Sequence, residues 1–192
     1  MDDPRHPQAA PSRILPVTRS TTAALLAVLL VAAVATSTHR ADAAPMQAVP
    51  VSGEGVHLFS TAIVHSQRPT PTGMVQRSTD IVTLTGDLHG HILYHPTATF
   101  DLSSDTLEVT GTQFFSGTIH GSEPVILHDD RFRFEVDLTT GATVGQVFLG
   151  RSNDAPHPGR WSECHLDVAG TGLTPAGDAT FVYSGACTHR GR

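Results

Sequence analysis

The 192-residue chain contains no lysine, a single asparagine (Asn153) and only two cysteines (Cys164 and Cys187). Without a primary side-chain amine there is no Schiff-base chemistry, and no phosphate loop of the lysine-bearing type. Asn153 is followed by Asp154 and Ala155, so the chain has no N-glycosylation acceptor. Beyond residue 43 no segment keeps apolar residues at i, i+3, i+4 and i+7 for three turns, which excludes an amphipathic helix. A G-x-S-x-G elbow, an H-E-x-x-H helix, a G-x-G-x-x-G turn between strand and helix, and paired-cysteine zinc spacing are missing too. Positive charge is scarce: from Ala44 onward eight Arg stand against fifteen Asp and Glu, a net charge near −7. Such a surface has no electrostatic footprint for nucleic acid or for anionic lipid. Plentiful Ala, Gly, Pro, Thr and Arg beside so little Lys and Asn is the usage of a GC-rich genome, as in many bacteria.

What is present begins with residues 1–43. Arg5, Arg13 and Arg19 precede a thirteen-residue apolar run over 23–35, and Ala41-Asp42-Ala43 supplies small residues where a signal peptidase reads. This is the pattern of a cleaved secretory leader. The run is shorter than the roughly 20 apolar residues a membrane-spanning helix needs, and Thr36 to Arg40 end it with polar and charged residues. No cysteine follows it to carry a lipid, and Arg13 and Arg19 are not paired as a twin-arginine signal. The expectation is an exported chain without a stable membrane span once the leader is removed. Residues 44–52, with Pro45 and Pro50, read as a loose lead-in, and 53–192 as one domain.

The domain reads as strands throughout. Over 131–138 the sequence Arg-Phe-Arg-Phe-Glu-Val-Asp-Leu is apolar at even positions and charged at odd ones, which places one face on a core and the other in water. Further strands are expected over 56–65, 79–94 (with a bend at Gly86 or Gly90), 97–103, 107–120 (with Gly111 and Gly117 as candidate breaks), 142–149, 161–169 and 179–187. Turn residues separate them at 68–73, 95–96, 103–105, 121–130 and 139–141. About eight strands and no helix predict a single closed antiparallel barrel, with a two-sheet sandwich as the alternative. Thr174-Pro175-Ala176-Gly177 is turn chemistry, and folding the chain about it brings Cys164 opposite Cys187 or within one place of it. Two cysteines in an exported chain therefore predict one disulfide.

Residues that could carry chemistry cluster on one strand. Period-two spacing puts Asp87, His89 and His91 together, opposite Val82, Leu84, Leu88 and Ile92, with His95 just beyond. Two His at i and i+2 beside a carboxylate suit either an acid–base pair or, less well, a metal site of His89, His91 and His95. The spacing fails the cupin pattern, since Gly86 stands only three places before His89 and His95 replaces the expected Glu. With apolar residues inside, these histidines face outward. His128-Asp129-Asp130 reads as a solvated turn. No cofactor is called for.

The stretch Gly111-Thr112-Gln113-Phe114-Phe115-Ser116-Gly117-Thr118-Ile119-His120-Gly121 resembles the middle of the allene oxide cyclase and dirigent type of eight-stranded barrel. Gly170-Thr171-Gly172, followed by Tyr183-Ser184-Gly185, resembles its last hairpin. The resemblance covers about the last 90 residues and carries over no catalytic residue. It implies a barrel whose lumen holds a small hydrophobic molecule and whose members either bind it or steer a cyclisation or coupling without a cofactor. Three functions follow as expectations: lumenal binding of a small apolar ligand, an interaction domain working through its outer face, and a histidine-dependent metal-binding protein.

Overall fold

The computed structural model describes residues 45–150 and 161–190, apart from the side chain of Asp129. The predicted leader lies outside the described residues. Eight strands follow one another: β1 (Met46–Thr70), β2 (Gly73–Gly86), β3 (Leu88–Asp101), β4 (Thr106–Ile119), β5 (Val125–Asp137), β6 (Thr143–Leu149), β7 (Trp161–Leu173) and β8 (Ala179–Arg190). Each pairs antiparallel with the next, and β8 returns to β1, so the sheet closes into a barrel. Closure leaves each strand with one face toward an enclosed interior, which is what the strict apolar alternation of these segments demands. The sandwich alternative is thereby set aside. No helix is present among the described residues, so none there is long and apolar enough to cross a membrane.

The strand boundaries depart from the sequence expectation at several points, and His95-Pro96, expected as a turn, lies inside β3, paired with β4. Residues 46–52 are no loose lead-in but the start of β1, paired with β8 from Met46↔Arg190 to His57↔Ala179. Pro50 is accommodated there, and its carbonyl accepts a hydrogen bond from the His120 ring at 2.9 Å. The bend expected within 79–94 does fall at Gly86, where β2 ends, and its φ of +103° is left-handed territory open to glycine. The segment 107–120 is unbroken as far as Ile119. His128-Asp129-Asp130 lies inside β5 and not in a loop; the backbone kinks there, where Gln113↔Asp130 gives way to Phe115↔Leu127. Asp130 faces the interior, fully buried, and accepts a short hydrogen bond from the Gly150 amide.

One end of the interior is closely packed with apolar side chains. Leu84, Leu88, Phe115, Ile119, Leu149, Cys164 and Cys187 are all at most 2 % exposed. Each large side chain so buried contributes about 1.5–3 kcal/mol. Cys164 and Cys187 sit directly opposite on β7 and β8 and form the expected disulfide. It closes a loop of 23 residues in sequence, worth about 3 kcal/mol of unfolded-state entropy. Tyr183 crosses from β8 to fasten the β2–β3 turn: its hydroxyl accepts from the Leu88 amide (2.9 Å) and donates to the Thr85 or Leu88 carbonyl (3.1 and 3.2 Å).

The far end is less regular. β1 runs thirteen residues past its last pairing with β8, at His57↔Ala179, and from there holds only to β2. Residues 59–62 bulge out of that pairing; Thr61 Oγ1 donates to the Leu58 carbonyl (2.7 Å) and accepts from the Ile81 amide (2.9 Å). The barrel wall is consequently cut away beside His57 and Phe59.

Candidate functional site

The residues first singled out do not line the interior. Val82, Leu84, Leu88 and Ile92 are buried and point inward, so His89 and His91 are exposed on the outside. His91 Nδ1 lies 3.4 Å from Thr83 Oγ1. His95 is half-buried on the same outer face, with Nδ1 2.9 Å from Thr79 Oγ1, and Thr79 Oγ1 also lies 2.7 Å from His65 Nε2. Asp87 leaves this face altogether. It sits in the β2–β3 turn, accepts from the Ser52 amide (2.8 Å) and hydroxyl (3.3 Å), and lies 3.3 Å from His120 Nδ1. Its work is to rivet β1, the turn and the end of β4 together. Among the described residues no three His, Cys, Asp or Glu side chains converge as metal ligands.

Polar groups meet instead inside the barrel. Cross-strand register aligns Asp80 (β2), Tyr94 (β3), Gln113 (β4) and Asp130 (β5) in one row, Asp80↔Tyr94↔Gln113↔Asp130, all facing inward. Ser78 stands two places along β2, and His57 approaches from β1. Ser78 Oγ donates to Asp80 Oδ2 at 3.0 Å, and His57 Nε2 lies 3.5 Å from the same oxygen. Asp80, Tyr94 and Gln113 are 3 %, 5 % and 1 % exposed. The His57 side chain, at 20 %, is the member that reaches the cut-away wall.

Aromatic rings back this polar row. Phe59 stands 4.5 Å from the His57 ring, His57 5.1 Å from Tyr94, Tyr94 stacks at 4.2 Å on Phe132, and Phe132 lies 5.7 Å from Phe134. Burial, with the Asp80 charge as a second cause, pushes the Tyr94 phenol well above its ordinary value. The phenol is therefore a neutral group throughout the physiological range.

Three buried atoms of this cluster have no hydrogen-bond partner: His57 Nε2, Asp80 Oδ1 and Gln113 Nε2. The His57–Asp80 distance is within ion-pair reach, but its geometry is not that of a hydrogen bond, so the attraction is electrostatic only. An orphaned buried polar group costs about 1–3 kcal/mol, and more when it is charged. A row of them amid an otherwise satisfied core is a place where a further molecule could supply the missing partners.

The outer surface offers weaker candidates. A concavity of about 980 Å3 lies over β1 and β5–β8, lined among others by Glu54, Arg133, Glu135, Val144 and Asp167. These side chains are exposed, and Arg133 meets Glu108 (3.3 Å) and Glu135 (3.2 Å) across solvent. Such pairs are worth at most about 1 kcal/mol and hold no geometry firmly. No family model, no curated protein and no solved structure matches the chain.

Proposed function

We propose that this barrel binds a small, mainly apolar molecule in its lumen, entering where the wall is cut away beside His57 and Phe59. The observation that carries the reading is the set of unpartnered buried atoms on His57, Asp80 and Gln113. A ligand bearing a donor for Asp80 Oδ1 and an acceptor for Gln113 Nε2 would remove their desolvation cost, while its body packed on the Tyr94–Phe132 stack. The His57–Asp80 pair could also move a proton on a bound molecule, which suits a cofactor-free isomerase or cyclase; binding alone needs less. The resemblance to allene oxide cyclase and dirigent barrels favours the same use of the interior. The Cys164–Cys187 disulfide fits an oxidising compartment, and with the leader pattern of residues 1–43 it supports an exported protein.

Methyl NMR during titration with octanol and octanone tests this. Shifts are expected at the inward methyls of Val82, Ile92 and Val147 and not at the outward ones of Ile81, Leu93 and Val144. Movement confined to the outward set overturns lumenal binding, and no movement with either compound overturns ligand binding itself.

A further inference from the structure

Asp80 is the member of the lumenal cluster whose chemistry is most specific. Its side chain is 4 % exposed, its Oδ2 takes the Ser78 hydroxyl, and its Oδ1 has no partner. Among the described residues His57 is the only basic side chain within ion-pair reach of it, and that contact is not a hydrogen bond. The chain has no lysine at all, so no side-chain ammonium of its own can fill the position. A buried carboxylate with half its coordination empty favours a positive partner, because taking a charge out of water costs several kcal/mol unless an opposite charge is supplied. A neutral hydroxyl would satisfy the hydrogen bond but leave the charge.

The walls point to the same chemistry. A cation is attracted to the face of an aromatic ring within about 6 Å of its centre, most strongly when water is excluded. Phe59, Tyr94, Phe132 and Phe134 form a continuous run of such rings, with the His57 ring between the first two. Asp80 adjoins the run, being the register partner of Tyr94. The field of this carboxylate is felt there, since it helps to raise the Tyr94 phenol. Carboxylate at the edge and rings along the wall are the two elements of a site for an organic cation.

We propose that the lumenal ligand is an amine: a protonated nitrogen on an apolar or aromatic body, with the nitrogen on Asp80 Oδ1 and the body along the Tyr94–Phe132 stack. The proposal rests on the lumenal reading above and narrows it to one class of molecule.

Three molecules of one shape separate the alternatives: phenylethylamine, phenylethanol and phenylacetate, titrated calorimetrically into the protein in 0.5 M salt. The salt screens the exposed outer acids Glu54, Glu135 and Asp167, whose attraction for an amine would otherwise be mistaken for lumenal binding. The amine is expected to bind at least tenfold more tightly than the alcohol, with phenylacetate weakest. In Asp80→Asn, which keeps the shape and removes the charge, the amine should fall to the level of the alcohol. Far-UV circular dichroism and the inward methyl spectrum should be unchanged by the substitution. Equal affinity for amine and alcohol in the unaltered protein overturns the proposal without recourse to any variant, and so does an amine preference that survives Asp80→Asn. If octanol still moves the inward methyls while the amine shows no advantage, the lumenal site stands and the cation falls. If neither binds, both readings fall.

Discussion

Two buried polar centres lie in the same barrel and are built in opposite ways. At the packed end the Tyr183 hydroxyl takes the Leu88 amide and gives its proton to a carbonyl of the β2–β3 turn, among side chains with almost no exposure. On the β2–β5 wall, Asp80 and Gln113 are as deeply buried and yet keep an unpaired atom each. Depth is therefore not what distinguishes the two centres; completeness of hydrogen bonding is. A satisfied group holds the fold, and an unsatisfied one lowers stability unless something else completes it.

The comparison can be broken first at its apolar side. Phe115→Ala empties the middle of the packed end and should cost about 4 kcal/mol in urea unfolding. A loss below about 1 kcal/mol would mean that this end is not the rigid half. Tyr183→Phe keeps the ring but strands the Leu88 amide, so about 2 kcal/mol should go. A neutral result would erase the contrast between the satisfied and the unsatisfied centre.

The smallest effect is spectroscopic and uses the chain's two tyrosines, one in each centre. Burial raises Tyr183 above the ordinary value, and burial with the Asp80 charge raises Tyr94 further. Absorbance at 295 nm should show little tyrosinate at about pH 10, where a free tyrosine is half ionised. Tyr183 should titrate before Tyr94. The sign for stability follows: both groups are held neutral in the folded state, so their contribution is complete below about pH 10 and is lost as the pH rises through the raised values. Early ionisation of Tyr94, seen alone in Tyr183→Phe, would contradict a closed polar row.

The barrel was legible in the sequence because its signals are local. Alternation over 131–138, turn residues between runs, and Thr174-Pro175-Ala176-Gly177 placing Cys164 against Cys187 all act within a few residues or one hairpin. The lumenal cluster was not, since its members come from five strands, β1 to β5, and each looks like an ordinary exposed polar residue. One signal did exist. The parity that makes Val82 and Leu84 inward also makes Ser78 and Asp80 inward, and Ile92 and Phe115 do the same for Tyr94 and Gln113. Asp87, His89 and His91 drew attention by adjacency, yet two are on the outer face and the third holds a turn. Residues 46–52 do not read as a strand for a related reason: their partner, β8, lies more than a hundred residues away in sequence, beyond the reach of any window.

That pairing of the first strand with the last has a kinetic consequence. Met46 meets Arg190, so among the described strand pairings this seam has the greatest separation along the chain. Contacts of this kind form slowly and late, because the whole intervening chain must first be ordered. A growing chain cannot complete the ring until β8 has emerged. The hairpin carrying Cys164 and Cys187 emerges with it, so oxidation, seam closure and enclosure of the lumen are tied to the same last moment.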